Sequence, residues 1–158
     1  MKLFILERPN NIDSMKQLYQ LIAANKGQES LPIMNYRKIE DCLNSMLGNL
    51  LIQFVLKTHY NCSDPLLRNN KGKLYVNSSS WKGDVSLSHS HSMIVCAVNP
   101  NAQVGVDIEK KSDIDFALCN EFLSNRELNF LKSQSAEERV SVFYKFWTLK
   151  EAFVKAIG

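Results

Sequence analysis

Residues 104–110 read Val-Gly-Val-Asp-Ile-Glu-Lys, and that alternation of apolar and other residues suits a β-strand and no helix. Successive strand side chains face opposite ways, so Val104, Val106 and Ile108 form one face. Gly105, Asp107 and Glu109 form the other. Near the end of the chain, Trp147, Glu151 and Lys155 recur at i, i+4 and i+8, the spacing of one helix face. A chain that keeps both segments must combine strand and helix.

Two carboxylates two residues apart on one strand face repel unless a cation lies between them. If the strand meets the helix, Asp107, Glu109 and Glu151 stand beside Lys150 and Lys155. Three oxygen ligands with two ammonium groups suit Mg²⁺ and a polyphosphate. Gly105 leaves room for a bulky ligand to approach the backbone. Taken singly, each segment has a plainer reading: Glu151–Lys155 as a surface pair, Asp107 and Glu109 as a solvated strand face.

The rest of the chain is regular. Residues 2–6 suggest a strand, and 13–25 a helix stopped at Gly27. Residues 36–58 form the clearest amphipathic helix, through Ile39, Leu43, Met46, Leu47, Leu50, Leu51, Phe54 and Val55. Gly48 inside it costs about 1 kcal/mol against alanine, which points to a close neighbour. Residues 60–72 read as loop. Strands follow at 73–77, 84–88, 93–99 and 103–109, the last two joined as a hairpin at Asn99-Pro100-Asn101. Ser124-Asn125-Arg126-Glu127 and Ser135-Ala136-Glu137-Glu138 are capping boxes. A lobe boundary near 99–103 divides residues 1–102 from 103–158.

The 158 residues hold one domain or two small lobes, and 45% hydrophobic content is enough for a core. A net charge of +3 gives no case for nucleic acid, but suits an acidic partner met through a local patch. Cys42, Cys62, Cys96 and Cys119 have no paired ligand spacing, so zinc is not expected. With no signal peptide and no membrane-length apolar run, the expectation is a cytoplasmic protein with free thiols.

Together, Gly105-Val106-Asp107-Ile108-Glu109 and, about forty residues later, Trp147-Thr148-Leu149-Lys150-Glu151-Ala152-Phe153-Val154-Lys155 resemble the 4′-phosphopantetheinyl transferase superfamily in its surfactin-synthetase-activating branch. Gly72-Lys73-Leu74 and Leu87-Ser88-His89-Ser90 agree with further segments of that family. The resemblance spans roughly residue 36 to the end. It implies a pseudo-dimer of two α+β lobes with coenzyme A between them. It also implies Mg²⁺-dependent transfer of phosphopantetheine from coenzyme A to a serine of an acyl or peptidyl carrier protein. By position, Asp107, Glu109 and Glu151 would ligate the metal. Glu151 would serve as base, and Lys155 would stabilise the pyrophosphate and the departing adenosine 3′,5′-bisphosphate. Lys73, Ser88, His89 and Lys150 would contact coenzyme A phosphates, with His89 facing the 3′-phosphate. His91 and His59 gain no role from the match, Lys73 alone in a turn would be solvated, and Trp147 reads as core.

Two departures from the family pattern stand out. Asn44 occupies the place of an arginine that binds the 3′-phosphate, a loss of about 1.5–3 kcal/mol unless Arg37 or Lys38 compensates. The only basic residue shortly before Arg37 is Lys26. The chain also ends at Gly158, where family members continue into further strands. The C-terminal lobe is therefore expected to be incomplete, as in a fragment or a shortened homologue. A lone 103–110 strand would expose an edge that invites pairing with another chain, so poor activity or oligomerisation is expected. A complete family member would be a monomeric pseudo-dimer. The competing functions are a coenzyme A or carrier-protein binding module without transfer, and a metal-dependent nucleotide pyrophosphohydrolase.

Overall fold

The computed structural model describes residues 1–26, 39–117 and 119–158. The helix stop expected at Gly27, the helix start expected near residue 36, and the cations Arg37 and Lys38 lie outside these residues, as does the side chain of Lys26.

The chain opens with strand β1 (Lys2–Glu7), helix α1 (Ile12–Lys26) and helix α2 (Ile39–Tyr60). The α2 pattern buries residues on two sides. Cys42, Leu43 and Met46 pack with Met15 and Ile22 of α1. Ile52, Val55 and Leu56 pack into the sheet. Fully burying a side chain such as Ile52 or Leu56 contributes about 1.5–3 kcal/mol. Phe54, which the helical pattern placed inward, is 63% exposed. Gly48 has the close neighbour its position implied: a Cβ there would stand 2.5 Å from Leu87 Cδ2.

Strands β2 (Leu66–Arg68) and β3 (Leu74–Val76) form a small antiparallel hairpin. Its first strand lies inside the segment expected to be loop, because Leu66 and Leu67 are too short a run to show a period. The turn between them uses Gly72 at φ +84°, a conformation that glycine takes freely. The Asn69 side-chain oxygen accepts from the backbone N–H of Lys71 and Lys73 at 3.0 and 2.9 Å, which fixes where Lys73 leaves the turn.

Strands β4 (Asp84–Ser90) and β5 (Met93–Asn99) complete a three-stranded antiparallel sheet of order β1-β5-β4. The hairpin lies here, turned at His91 and Ser92 with His91 at φ +55°. The hairpin expected across Asn99-Pro100-Asn101 does not form. Residues 103–109 belong to neither sheet. They run beside β4, and β4 side chains take their backbone N–H groups. Val104 N–H donates to Asp84 Oδ2 (2.8 Å), Val106 to Ser86 Oγ (3.1 Å), Ile108 to Ser88 Oγ (3.4 Å) and Lys110 to Ser90 Oγ (2.9 Å). Each step of two residues meets a step of two on β4, so the segment keeps a strand's rise without a strand's main-chain ladder. The oxygen-bearing side chains at 84, 86, 88 and 90 compete successfully with main-chain pairing.

Helices α3 (Cys119–Phe122), α4 (Asn125–Ser133) and α5 (Ala136–Ile157) follow. Ser124 and Glu127 form the full reciprocal capping box. At α5, Ser135 accepts from Glu138 N–H, while Glu138 takes the Ser135 hydroxyl. Cys119, Leu123, Leu131 and Phe143 make a separate core cluster, with Trp147 packed against it. Trp147 stacks on Phe143 at 6.1 Å and meets Phe122 edge-on at 4.8 Å, the core role read from sequence. The architecture is α+β.

Candidate active site

The acidic segment meets α5 at Gly105. A Cβ there would collide with the Ala152 carbonyl and the Ala156 backbone nitrogen. The open space that glycine creates is filled by the helix, not by a ligand. This close approach brings Lys155 to Asp107: Nζ to Oδ1 is 2.6 Å. The Asp107 side chain is 3% exposed. Ser88 Oγ lies between the two, donating to Asp107 Oδ1 at 2.8 Å and accepting from Lys155 Nζ at 2.9 Å. A buried carboxylate requires such partners, because desolvation otherwise costs several kcal/mol.

Asp107 Oδ2 has none. It is buried and makes no hydrogen bond among the described residues. An orphaned carboxylate oxygen at this depth fits a cation ligand. The other two acids stand apart from it. Glu109 Oε2 accepts from Ser90 Oγ at 3.0 Å. Glu151, on α5, is half-buried and makes no hydrogen bond or ion pair among the described residues. Among those residues, no three of the His, Cys, Asp and Glu side chains gather into a metal-binding group.

The remaining candidates divide between two sides of β4. Lys73 is drawn into the protein: Nζ contacts Asp84 Oδ2 at 2.8 Å and the carbonyls of Lys155 and Ala156 at 3.0 and 2.5 Å. It thereby ties the end of α5 to β4, and is not the solvated lysine that a turn position alone suggests. A cleft of about 200 Å³ opens beside it, bordered by Arg68, Lys71, Lys73 and Lys155. Four cations around one opening make it electropositive. Lys150 points elsewhere, to Glu127 Oε2 at 3.0 Å.

His89 faces the opposite side of β4 from Ser88. Its Nδ1 is 3.5 Å from Asn44 Nδ2, and burial pushes its pKa below the ordinary histidine value. Asn44 is itself buried. Its side-chain oxygen accepts from Arg8 Nε at 2.8 Å, and its amide donates to the His91 carbonyl at 2.9 Å. Sequence reasoning missed Arg8, which directly follows β1 and is 6% exposed. The available signal was a cation placed between an apolar strand and Pro9. It also missed Asp84, Ser86 and Ser90, whose even spacing along β4 was visible. His91 is exposed, with Nε2 3.1 Å from Lys110 Nζ, and the His59 ring packs on Phe4 at 5.1 Å. All four cysteines are free and buried, with the Cys96 thiol pushed up to about 12 by burial, so they supply no nucleophile.

The sequence pattern of the 4′-phosphopantetheinyl transferase superfamily matches residues 103–158, the span that contains Asp107, Glu151 and Lys155. Along 99% of its length the chain is 32% identical to the 4′-phosphopantetheinyl transferase gsp of Aneurinibacillus migulanus, covering 65% of that protein. It is 31% identical over its whole length to the 4′-phosphopantetheinyl transferase psf-1 of Bacillus pumilus, covering 69%. It is also 32% identical over 83% of its length to the L-aminoadipate-semialdehyde dehydrogenase-phosphopantetheinyl transferase of Xenopus laevis, covering 48%. The chain thus spans 65% and 69% of these two bacterial relatives and about half of the Xenopus one.

Proposed function

Because this chain belongs to the 4′-phosphopantetheinyl transferase superfamily, we propose that it transfers 4′-phosphopantetheine from coenzyme A to a serine hydroxyl of an acyl or peptidyl carrier protein. The serine oxygen forms a bond to the β-phosphorus of coenzyme A, the bond to the bridging oxygen breaks, and adenosine 3′,5′-bisphosphate leaves. The observation that carries this reading is the buried Asp107 carboxylate, with one oxygen held by Lys155 and Ser88 and the other unpartnered.

Asp107 would hold Mg²⁺ through that free oxygen, with Glu109 and Glu151 as further ligands. When bound, the metal would neutralise pyrophosphate charge and orient the phosphorus. Lys155 also borders the cation-lined cleft, and from there it would stabilise negative charge on the leaving group. Lys73 borders the same cleft, whereas Lys150, paired with Glu127, would have to leave that partner to reach coenzyme A phosphates. Glu151 is free to accept the serine proton. Ser88 keeps Asp107 and Lys155 in register.

We read residues 1–102 and 103–158 as two parts of a pseudo-dimer, the second part being incomplete here. Two core clusters built before residue 99 and a third built after residue 118 support that division. The carrier would be an acidic helical domain, complementary to a chain of net charge +3. We assign the protein to the cytoplasm, since buried free thiols suit a reducing compartment. No helix among the described residues is long and apolar enough to cross a membrane.

The test follows release of adenosine 3′,5′-bisphosphate. Release that needs both an apo carrier and Mg²⁺, and is lost in Asp107→Asn, supports transfer. Release without any carrier would make the protein a pyrophosphohydrolase.

A further inference from the structure

Asp84 opens β4, and both oxygens of its side chain are engaged. Oδ1 accepts from the Val85 N–H at 3.0 Å, which fixes how the carboxylate is turned. Oδ2 accepts twice, from Lys73 Nζ and from the Val104 N–H, each at 2.8 Å. Lys73 arrives from the turn that Asn69 and Gly72 shape. An ammonium group has three donors, and Lys73 spends the other two on the carbonyls of Lys155 and Ala156. These carbonyls belong to the last turn of α5, where a helix leaves its acceptors unused and favours a cation. The Lys73 and Asp84 side chains are only 16% and 15% exposed, so neither charge is easily left without the other.

One carboxylate thus joins the two backbones whose side chains meet in the site. Val104 begins the segment that carries Asp107 three residues later. Lys155 is gripped at its carbonyl by Lys73, while its own Nζ lies 2.6 Å from Asp107 Oδ1. We propose, resting on the transferase reading for the reaction it serves, that Asp84 is a positioning residue: through Lys73 and Val104 it sets where Lys155 stands against Asp107. Lys73 acts on α5 and not on a phosphate, because none of its N–H groups is left over. A displacement of about 1 Å between reacting groups can slow a reaction about 100-fold, so a grip on the backbone matters to the rate.

The experiment measures kcat and KM for coenzyme A, with an apo carrier domain as acceptor, for Asp84→Ala, Asp84→Asn, Lys155→Ala and Asp84→Ala/Lys155→Ala. Asp84→Ala should lower kcat by about 10- to 100-fold and change KM by less than about threefold. Asp84→Asn keeps an acceptor for Val104 but loses the charge that holds Lys73, and should fall between. With Lys155 already removed, Asp84→Ala should change kcat by less than about threefold, since the group that it positions is gone. Equal factors with and without Lys155, or a loss confined to KM, would overturn the proposal. If Asp84→Ala does not fold, Asp84→Asn takes its place in both comparisons. A chain that transfers nothing to any carrier would reject the transferase reading, and urea unfolding of the same proteins then decides. The Asp84 and Lys155 side chains form no hydrogen bond or ion pair with each other, so independent roles give multiplicative changes in the unfolding constant. A departure of about threefold or more upholds the positioning of Lys155 by Asp84, and multiplicative changes overturn it.

Discussion

Ser88 and His89 are consecutive in β4 and face opposite ways: Ser88 Oγ is 2.8 Å from Asp107 Oδ1, whereas His89 Nδ1 is 3.5 Å from Asn44 Nδ2. They therefore serve separate subsites. Ser88→Ala removes the hydroxyl that joins Asp107 to Lys155, and should lower kcat more than it raises KM for coenzyme A. His89→Gln should raise KM with a smaller effect on kcat. Steady-state kinetics of both variants checks the split.

Lys155 supports Asp107 in the fold as well as in the site. Lys155→Ala leaves a buried carboxylate without its counter-charge, at a cost of about 2 kcal/mol given that the lysine is partly exposed. Adding Asp107→Asn should recover part of that loss, because the uncompensated charge is gone. Denaturant unfolding of the two single variants and the double variant measures this coupling.

Burial holds His89 neutral, so its folded pKa lies below its unfolded value near 6.5. The unfolded chain then binds more protons as pH drops, and the stability contributed by neutral His89 is lost below about pH 6.5. Asp41 and Glu109 oppose the downward shift, while Lys155 and Arg8 add to it. Thermal melting from pH 7.5 to 5 should show the decline, and His89→Gln should flatten it.

Glu127 behaves as a capping carboxylate. Hydrogen bonds from the Ser124 backbone and hydroxyl, then from Lys150, hold its pKa down to about 2. Its contribution is present above the ordinary carboxylate value of 4.5 and is lost as pH falls towards 2. Ser124→Ala should cost about 1 kcal/mol at neutral pH, read from the shift in the urea midpoint.

Gly105→Ala is expected to be far worse than Gly48→Ala. At Gly105 the added methyl meets α5 backbone, which cannot rotate away, whereas at Gly48 it meets the Leu87 side chain. A loss of about 3 kcal/mol or more is expected for Gly105→Ala, compared by denaturation with Gly48→Ala.

Elements with a long or strict period were legible in the sequence. The run 93–99 forms β5 with those bounds, and the 36–58 pattern forms α2 from Ile39 to Tyr60. The Ser124 box caps α4 as its residue types dictate. What failed was pairing. The alternation in 104–109 predicts a β-strand, yet these residues join neither sheet, because alternation does not say which groups bond the backbone. Here the side-chain oxygens of β4 do so, and the hairpin moves to His91-Ser92. The contact of Lys155 with Asp107 was legible only on the condition that the 104–110 segment meets the last helix, since no local signal links residues so far apart. Arg8 was hidden because the position of a cation after a strand does not reveal that a helix residue, Asn44, will bury and aim it.

The most direct measurement is the intact mass of an apo carrier protein after incubation with this chain, coenzyme A and Mg²⁺, with Glu151→Ala as control. A gain of one phosphopantetheine unit that disappears in the variant is the predicted result. No gain on acyl or peptidyl carriers, from a chain that binds coenzyme A, would contradict transfer and leave a coenzyme A-binding module.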